Sequence, residues 1–280
     1  MEKLVSIGMT VYNTSEYIED AIKSILKQTY TNWELIVIND GSTDDTLNKI
    51  KKIKDNRIKI FSDSQNKGIA KRLNECIEAS SGDYFARMDG DDIMVPYRLE
   101  QQVKYLEEHK DVNIVGSLAV IIDENSEVVA KVIKNAPQNI QQVVKSGGYF
   151  IHPTVMGHLD WFKKHKYDIE INRIEDFELW VRTFESSNFY ILEDNMLFYR
   201  VFTATYRSKY HNSYRFTKRV LKKHSQKIPQ RVYYSTVGMA YLKYLFFGIF
   251  KRMGLLNRKT AISTAEKTQF QAQLNDIIEK

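Results

Sequence analysis

Cysteine is nearly absent from this chain, which has one, Cys76, among 280 residues. A single cysteine excludes an intrachain disulfide and a metal cluster held by several thiolates. Because structural disulfides belong to oxidising compartments, the composition favours a reducing one, and we expect a cytoplasmic protein.

Long hydrophobic runs are also lacking. The first residues, MEKLVSIGMTVYN, turn polar too soon for a signal peptide. The longest apolar stretch, Val237 to Phe250, is interrupted by Lys243 and is shorter than the roughly 20 residues of a membrane-spanning helix. With 43% hydrophobic and 27% charged residues, the chain has the composition of a folded protein. We therefore expect one large α/β domain, or one domain with an appendage.

Acidic residues are missing from Asn195 to Ala265, a segment of 71 residues that contains 15 lysines and arginines. The whole chain carries +6 and this segment +15, so the remainder carries −9. Such asymmetry indicates an anionic partner: nucleic acid, an anionic membrane or a phosphorylated substrate.

Short β-rich runs alternate with helical patterns over the first hundred residues, which predicts βαβ units on a mostly parallel sheet flanked by helices. Pro96 is predicted to occupy the first position of a helix over Pro96–His109. Near residue 200 the pattern predicts two closing strands, Phe189–Leu192 and Met196–Tyr199. Beyond Arg200 it becomes helical and basic.

Polar clusters follow three of the predicted strands, at Thr10–Asn13, Asn39–Ser42 and Asp89–Asp92. Ligands of open parallel sheets bind outside the carboxyl ends of the strands. The three clusters therefore predict one binding site at that edge.

Asp89-Gly90-Asp91-Asp92 places three carboxylates within four residues after an apolar strand. Neighbouring carboxylates repel each other unless a hard cation lies between them, and oxygen ligands suit Mg²⁺ or Mn²⁺. A metal-bound diphosphate is a good leaving group, because the metal neutralises the charge that develops on its oxygens. The alternative is an acidic surface turn or a favourable helix start.

Four further segments allow both a functional and a structural interpretation. Asp40 can accept hydrogen bonds from a base, whereas its loop can also be a helix cap formed by Ser42 or Thr43. Lys67, beside Gly68 at a helix start, can contact phosphate or lie in a tight turn. Glu175 and Asp176 can supply a general base or stabilise the helix dipole. His152 can contact an acceptor or lie in a polar loop.

Taken together, the chain resembles inverting family 2 glycosyltransferases of the GT-A fold over about Val5 to Arg200. The matching motifs are SIGMTVYN (6–13), VINDGSTDDT (37–46), NKGIAKRLN (66–74), ARMDGDD (86–92) with P.RLE.Q (96–101), HPT (152–154) and EDFELW.R (175–182). The resemblance implies a GT-A catalytic domain over 1–205 and leaves 206–280 as a helical, basic C-terminal region.

The resemblance also implies roles for individual residues. Thr10, Tyr12, Asn13 and Asp40 would line a uridine pocket, and Lys67 and Arg87 would assist the sugar nucleotide. Asp91 would contact Mn²⁺ or Mg²⁺, and Asp89 the ribose. Asp176 would be the catalytic base, with Glu175, His152 and Trp180 shaping the sugar and acceptor site. One displacement would invert the anomeric configuration, giving a β-linkage from an α-linked UDP-sugar.

Two positions depart from the family pattern. Many relatives have an arginine immediately before the position of Asn74, where this chain has Leu73, with Arg72 one place earlier. Many also have a histidine at the position of Phe202, so an imidazole facing phosphate or metal is not expected there, and His211 is the alternative source of one.

The basic C-terminal region predicts a peripheral membrane protein. Arg215, Lys218, Arg219, Lys222 and Lys223 fall on one helical face, followed by aromatic and aliphatic bulk. Residues 206–259 would then bind the anionic inner face of the cell membrane, close to a saccharide or lipid-diphosphate-linked acceptor. The alternative is an apolar helix packed on the domain with a solvated basic face.

Other functions fit the sequence less well. Nucleic-acid binding is not expected, because no recognised module accompanies the charge. A pyrophosphorylase or a dinucleotide oxidoreductase would need a glycine-rich loop after the first strand, where Thr10-Val11-Tyr12-Asn13 stands. The rival from another class is a non-catalytic, membrane-associated sensor or scaffold that binds a sugar nucleotide.

Overall fold

The computed structural model describes residues 2–171, 173–202, 206–246, 259–260 and 262–279, and for 206–213, 259 and 260 it describes the backbone alone. The strands within this part of the chain are β1 Val5–Val11, β2 Trp33–Asp40, β3 Ile58–Asp63, β4 Tyr84–Asp89, β5 Ile93–Met94, β6 Ile114–Ile122, β7 Val128–Val132, β8 Met156–His158, β9 Phe189–Arg200 and β10 Lys259–Thr260. The helices are α1 Ile18–Leu26, α2 Thr46–Lys52, α3 Ile69–Ala79, α4 Arg98–Glu108, α5 Ile140–Ser146, α6 Leu159–Lys164, α7 Glu175–Thr183, α8 Tyr206–Lys223, α9 Gln230–Leu245 and α10 Thr264–Glu279. Short 3₁₀ turns lie at His152–Thr154 and Phe184–Ser186.

The sheet has a parallel half and a mixed half. Strands β3, β2, β1 and β4 lie side by side in that order and are all parallel, as the alternating pattern predicts. Beyond β4 the sheet continues through β8, which is antiparallel to both β4 and β6. Strand β6 pairs with β7 in the antiparallel sense and with β9 in the parallel sense. The carboxyl ends of β1, β2 and β4 therefore meet at one edge.

Helices cover both faces of the parallel half, which is why its strands are apolar at almost every position. In β2, Leu35 and Val37 pack in the cluster that contains α1 and α4. The alternate residues Ile36 and Ile38 pack in the cluster that contains α3, α6 and α7.

Two predicted elements differ in the structure. Helix α4 begins at Arg98, so the prediction that Pro96 opens it is wrong. The Pro96 carbonyl instead accepts a hydrogen bond from the Thr29 N–H at 2.8 Å, in the turn before the helix. The two predicted closing strands are one strand, β9, whose register with β6 shifts on either side of Leu118. The polar residues before Met196 therefore mark an irregularity in a continuous strand.

The described parts of the C-terminal region pack against the rest of the chain. Val220 and Leu221 of α8 and Val232 of α9 are buried in the core cluster that contains α5 and α7. Leu274 and Ile277 of α10 are buried in a third cluster with β5, β6, β7 and β9. Among the described helices, none combines the length and the apolar character needed to cross a membrane.

Candidate functional site

Strand register brings the polar clusters together. Thr10 of β1 lies opposite Asp89 of β4, and Val11 lies opposite Asn39 of β2. Tyr12, just beyond β1, is 49% exposed at the same edge. The prediction that these clusters share one edge of the sheet is confirmed.

The three carboxylates of Asp89, Asp91 and Asp92 form a compact group. An oxygen from each lies within 4.8 Å of the others. Asp92 is fully buried, and its Oδ2 has no hydrogen-bond partner. Burial and the charge of neighbouring carboxylates raise the pKa of Asp91 and of Asp92. A compact group of three carboxylates, one of which has a buried oxygen without a partner, fits a hard divalent cation and is unlike an exposed acidic turn.

Arg200, at the end of β9, holds the loop of this acidic group in place. Its backbone N–H donates to Asp92 Oδ1, and its Nε donates to the Asp91 carbonyl, both at 2.8 Å. The guanidinium lies 4.2 Å from the centre of the Tyr17 ring. Phe202, at the position where many relatives have a histidine, packs on the same tyrosine at 5.6 Å.

Arg87 is a buried cation beside this acidic group. It forms an ion pair with Asp89, and its Nε and Nη1 have no hydrogen-bond partner. Burial lowers the pKa of Arg87, but surrounding negative groups, first among them Asp89, raise it by more. Its charge also acts to lower the pKa of both Asp91 and Glu175, which places it within range of both groups.

Asp40, at the end of β2, is held by three donors. Its carboxylate accepts from the Lys67 N–H at 2.7 Å, the Gly68 N–H at 3.0 Å and Arg72 Nε at 2.7 Å. Gly68 has a φ of +82°, a backbone conformation that favours glycine. The Lys67 ammonium pairs with Asp63 at 2.6 Å, so its side chain is directed away from the acidic group at Asp89 to Asp92 in this structure.

Asn13 braces the loop that follows β2. Its Oδ1 accepts from the Thr43 N–H at 2.8 Å, and its own N–H donates to Ser42 Oγ at 3.0 Å. The interpretation of Ser42 or Thr43 as the helix cap is therefore wrong: both bind Asn13, and helix α2 begins at Thr46 with Asp45 as its N-cap.

A second acidic group lies at the start of α7. An atom from each of His152, Glu175 and Asp176 lies within 4.8 Å of the others. Burial raises the pKa of Glu175 and of Asp176, and the charge of Asp176 raises that of Glu175 further. Burial and the charge of Arg87 lower the pKa of His152, which is therefore a neutral imidazole at neutral pH. Its Nε2 lies 2.8 Å from the Tyr167 hydroxyl.

Trp180 supports this second group from within the core. Its side chain is completely buried and packs edge-on against Phe150 at 5.0 Å and Phe189 at 5.6 Å. The His152 ring lies 6.4 Å away on another side. Because Trp180 is completely buried, it does not contact a sugar directly in this conformation and instead packs beside His152.

Asp176 is also part of the wall of a cleft of about 320 Å³, which lies where α5, α7, α8 and α9 meet. The carboxylate at the start of α7 therefore lies beside a space that a substrate can enter, whereas Glu175 beside it is only 4% exposed.

Arg72 is the main residue of the site region whose role the sequence does not show. Its guanidinium binds Asp40, Asp63 and Glu75 at 2.5–2.7 Å and is almost completely buried. An arginine two places before Asn74 thus reaches Asp40 from the first turn of α3. The offset of this arginine from the family position is the one signal of its role in the sequence.

Comparisons with known proteins match a family and a fold. Residues 6–166 match the family model described as glycosyl transferase family 2. The chain is 37% identical over 187 residues to "Putative glycosyltransferase EpsE" of Bacillus subtilis (strain 168), covering 65% of this chain and 66% of that protein. It is 33% identical over 187 residues to "UDP-Glc:alpha-D-GlcNAc-diphosphoundecaprenol beta-1,3-glucosyltransferase WfgD" of Escherichia coli, covering 66% of this chain and 71% of that protein.

A solved structure shares the fold over nearly the whole chain. The mannosyltransferase PcManGT of Pyrobaculum calidifontis, in complex with GDP-Man and Mn²⁺, superimposes with a TM-score of 0.64 at 15% identity and covers 99% of this chain and 86% of that one. The expected GT-A fold is therefore confirmed.

Proposed function

This chain belongs to glycosyl transferase family 2, and on that premise we propose that it is an inverting enzyme that transfers a sugar from a UDP-sugar to a saccharide or lipid-linked acceptor in cell-surface polysaccharide synthesis. One observation supports this proposal above the others. Two groups of carboxylates, Asp89 to Asp92 and Glu175 to Asp176, both lie within electrostatic range of the buried Arg87. The name of the relative WfgD supports a UDP-sugar donor and a diphosphate-linked acceptor.

The donor would bind at the carboxyl ends of β1, β2 and β4. Uridine would lie among Thr10, Tyr12, Asn13 and Asp40, and Asp89 would bind the ribose. Asp91 would hold Mn²⁺ or Mg²⁺, which when bound supplies positive charge to the leaving diphosphate. Arg87, whose Nε and Nη1 have no partner, and Lys67 would donate hydrogen bonds to the sugar nucleotide.

The acceptor would approach Asp176 from the cleft between α7 and α9. The Asp176 carboxylate takes the proton of the acceptor hydroxyl while the hydroxyl oxygen bonds to the anomeric carbon of the donor sugar. The bond from that carbon to UDP breaks on the opposite face, so the configuration inverts. Burial raises the pKa of Asp176, which makes it a stronger base than an exposed aspartate. Glu175 and His152 would position the reacting groups.

The experiment that tests this proposal is UDP release from a panel of UDP-sugars, with Mn²⁺ and with saccharide or lipid-linked acceptors. We expect acceptor-dependent release of UDP with one donor. Tight UDP-sugar binding with no release under any acceptor would instead support the sensor or scaffold.

We also propose that the C-terminal helices rest on the anionic inner face of the cell membrane. Arg215, Lys218 and Lys222 of α8 are exposed. Large apolar side chains are exposed on α9 and at its C-cap: Tyr234, Met239, Tyr241, Leu242, Tyr244, Leu245 and Phe246. Not all of the basic face is available, because Arg219 and Lys223 pair with Glu170 and Asp168 at 2.5 Å. Part of the predicted segment, 247–258, lies outside the described residues.

Flotation with liposomes tests the membrane proposal. We expect the protein to float with vesicles that contain phosphatidylglycerol and to stay in the bottom fraction with vesicles of phosphatidylcholine alone. Each basic residue near an anionic surface adds about 1 kcal/mol to the binding free energy. Failure to float with phosphatidylglycerol at low salt would refute it.

A further inference from the structure

The cleft beside Asp176 combines two lysines with hydroxyl groups and apolar walls. Lys145 comes from the last turn of α5, and Lys243 from the last turn of α9. Thr217, Ser235 and Thr236 supply hydroxyls, and the remaining lining residues are Val144, Gly147, Ile174, Phe177, Met239 and Ala240. Among the described residues that line it, Asp176 supplies the one carboxylate.

We propose that this cleft binds the diphosphate of a lipid-linked acceptor between Lys145 and Lys243, with the acceptor sugar toward Asp176. The proposal rests on the proposed function, in which Asp176 is the base. Two ammonium groups and three hydroxyls are donors that a diphosphate requires.

The lipid chain has a path away from the cleft along α9. Lys243 and the lining residues Met239 and Ala240 lie on adjacent turns of this helix. Leu242, Leu245 and Phe246, next to Lys243 in the sequence, are 43–50% exposed. An isoprenoid chain that extends from a diphosphate bound by the two lysines would therefore lie directly against an apolar surface.

The donor diphosphate is a weaker candidate for the same cleft. The acidic group that would hold its metal, Asp89 to Asp92, is not among the lining residues. The two diphosphates would therefore have separate cations.

Calorimetric binding of farnesyl diphosphate to the full-length protein tests the proposal. Saturating UDP and Mn²⁺ would first fill the donor site, so that only a second diphosphate site is measured. Farnesol, which lacks the diphosphate, is the control ligand. We expect farnesyl diphosphate to bind, Lys145→Ala and Lys243→Ala each to weaken it at least tenfold, and farnesol to bind far more weakly to every variant.

Lys222→Ala is the matched control, because it removes the same charge from an exposed position of α8 outside the cleft. Equal affinity for farnesyl diphosphate in wild type, Lys145→Ala and Lys243→Ala would overturn the proposal. A loss of affinity in Lys222→Ala as large as in the two cleft variants would also overturn it, because it would indicate general attraction to basic helices. Thermal unfolding of each variant shows that the fold is retained.

A kinetic measurement separates this proposal from the proposed function. UDP release with a phosphate-free alkyl glycoside acceptor should be unchanged in Lys145→Ala and Lys243→Ala, whereas kcat/KM for the lipid-diphosphate acceptor should fall at least tenfold. No release from wild type with any acceptor would contradict the proposed function itself. Release that is equally reduced with both acceptors would overturn the diphosphate site while leaving the proposed function intact.

Discussion

Arg200 binds two consecutive residues of the acidic loop, donating from its backbone N–H to Asp92 Oδ1 and from its Nε to the Asp91 carbonyl. The loop after β4 is thereby fastened to the end of β9, more than a hundred residues later in the sequence. Because the carboxylates of this loop repel one another, the loop needs contacts from outside it to keep one geometry.

Replacing Arg200 by alanine should therefore loosen the acidic loop. The side-chain hydrogen bond to Asp91 and the contact with the Tyr17 ring are lost, while the backbone bond to Asp92 remains. Because such charged contacts are worth about 1.5–3 kcal/mol, we expect Mn²⁺-dependent UDP affinity to fall about 10- to 100-fold by calorimetry.

Arg57→Ala is the matched control for Arg200. Arg57 also stacks on an aromatic ring, that of Trp33 at 3.6 Å. It lies just before β3, at the amino-terminal ends of the parallel strands and away from the acidic loop. Equal UDP affinity in wild type and Arg200→Ala would show that the acidic loop keeps its geometry without this residue.

Asp91→Ala should separate binding from stability. We expect the variant to lose the dependence of UDP affinity on Mn²⁺, because a ligand oxygen is removed. Its unfolding temperature without metal should stay the same or rise. In the wild type, repulsion from the Asp91 charge raises the pKa of Asp92 and destabilises the fold, and the substitution removes this repulsion.

Differential scanning calorimetry and titration calorimetry with UDP measure these two effects. Asp160→Ala, at an exposed position in the first turn of α6, is the control. Unchanged Mn²⁺-dependent affinity in Asp91→Ala would argue against the acidic group as the metal site.

Arg72→Leu should destabilise the protein and weaken nucleotide binding together. The substitution leaves Asp40 buried without its charged partner, and breaking a buried pair costs about 3–5 kcal/mol. Urea unfolding measures the loss, and Lys71→Leu, at the exposed neighbouring position, should change stability little. A loss below about 1 kcal/mol in Arg72→Leu would mean that the two backbone N–H groups suffice for Asp40.

The sequence predicts the parallel half of the sheet and the edge where the site lies. Strands β1, β2 and β4 are apolar at nearly every position because helices cover both faces, and such runs are recognisable locally. The polar residues that follow them must meet because parallel strands end at one edge. Local sequence therefore carries enough information for Thr10, Asp40 and Asp89.

Contacts between distant segments are what the sequence does not show. The partners of Arg72 come from β2, β3 and α3. Those of Arg219 and Lys223 come from α7 and the segment before it. The basic pattern of α8 predicts one charged face, but which charges find acids within the chain depends on how α8 packs. Similarly, α10 shows no strong pattern and is placed by burying Leu274 and Ile277.

Glu34 predicts a specific acid sensitivity of the fold. Its Oε1 accepts from Ser6 Oγ at 2.6 Å and from the Ser81 N–H at 2.7 Å, and its Oε2 pairs with Lys59. Burial alone would raise the pKa of Glu34, but these partners outweigh it and lower the pKa to about 2. Because the folded pKa lies below the unfolded value, the stabilisation is complete above about pH 5 and is lost as the pH falls toward 2.

Glu34→Gln should therefore cost about 2 kcal/mol at pH 7, and the difference from wild type should shrink steadily between pH 5 and pH 2. Urea unfolding across this range measures the difference, with Glu127→Gln at an exposed position as the control. A difference that does not change with pH would mean that the ionised form of Glu34 is not the stabilising one.

Asp176→Asn tests the assignment of the base. The amide keeps the shape of the side chain but does not accept a proton, so transfer should fall about 10²- to 10⁴-fold. UDP affinity should be retained, because the acidic group at Asp89 to Asp92 is untouched. Acceptor-dependent UDP release and calorimetry with UDP and Mn²⁺ measure the two properties.

Glu175→Gln is the comparison that makes this test specific, because Glu175 belongs to the same acidic group at the start of α7. Asp176 is part of the wall of the cleft, whereas Glu175 is 4% exposed, so we expect Glu175→Gln to lose less activity than Asp176→Asn. The reverse order would assign the base to Glu175. Near-wild-type turnover in both variants would remove this group from the chemistry and leave the metal-assisted departure of UDP as the main contribution to catalysis.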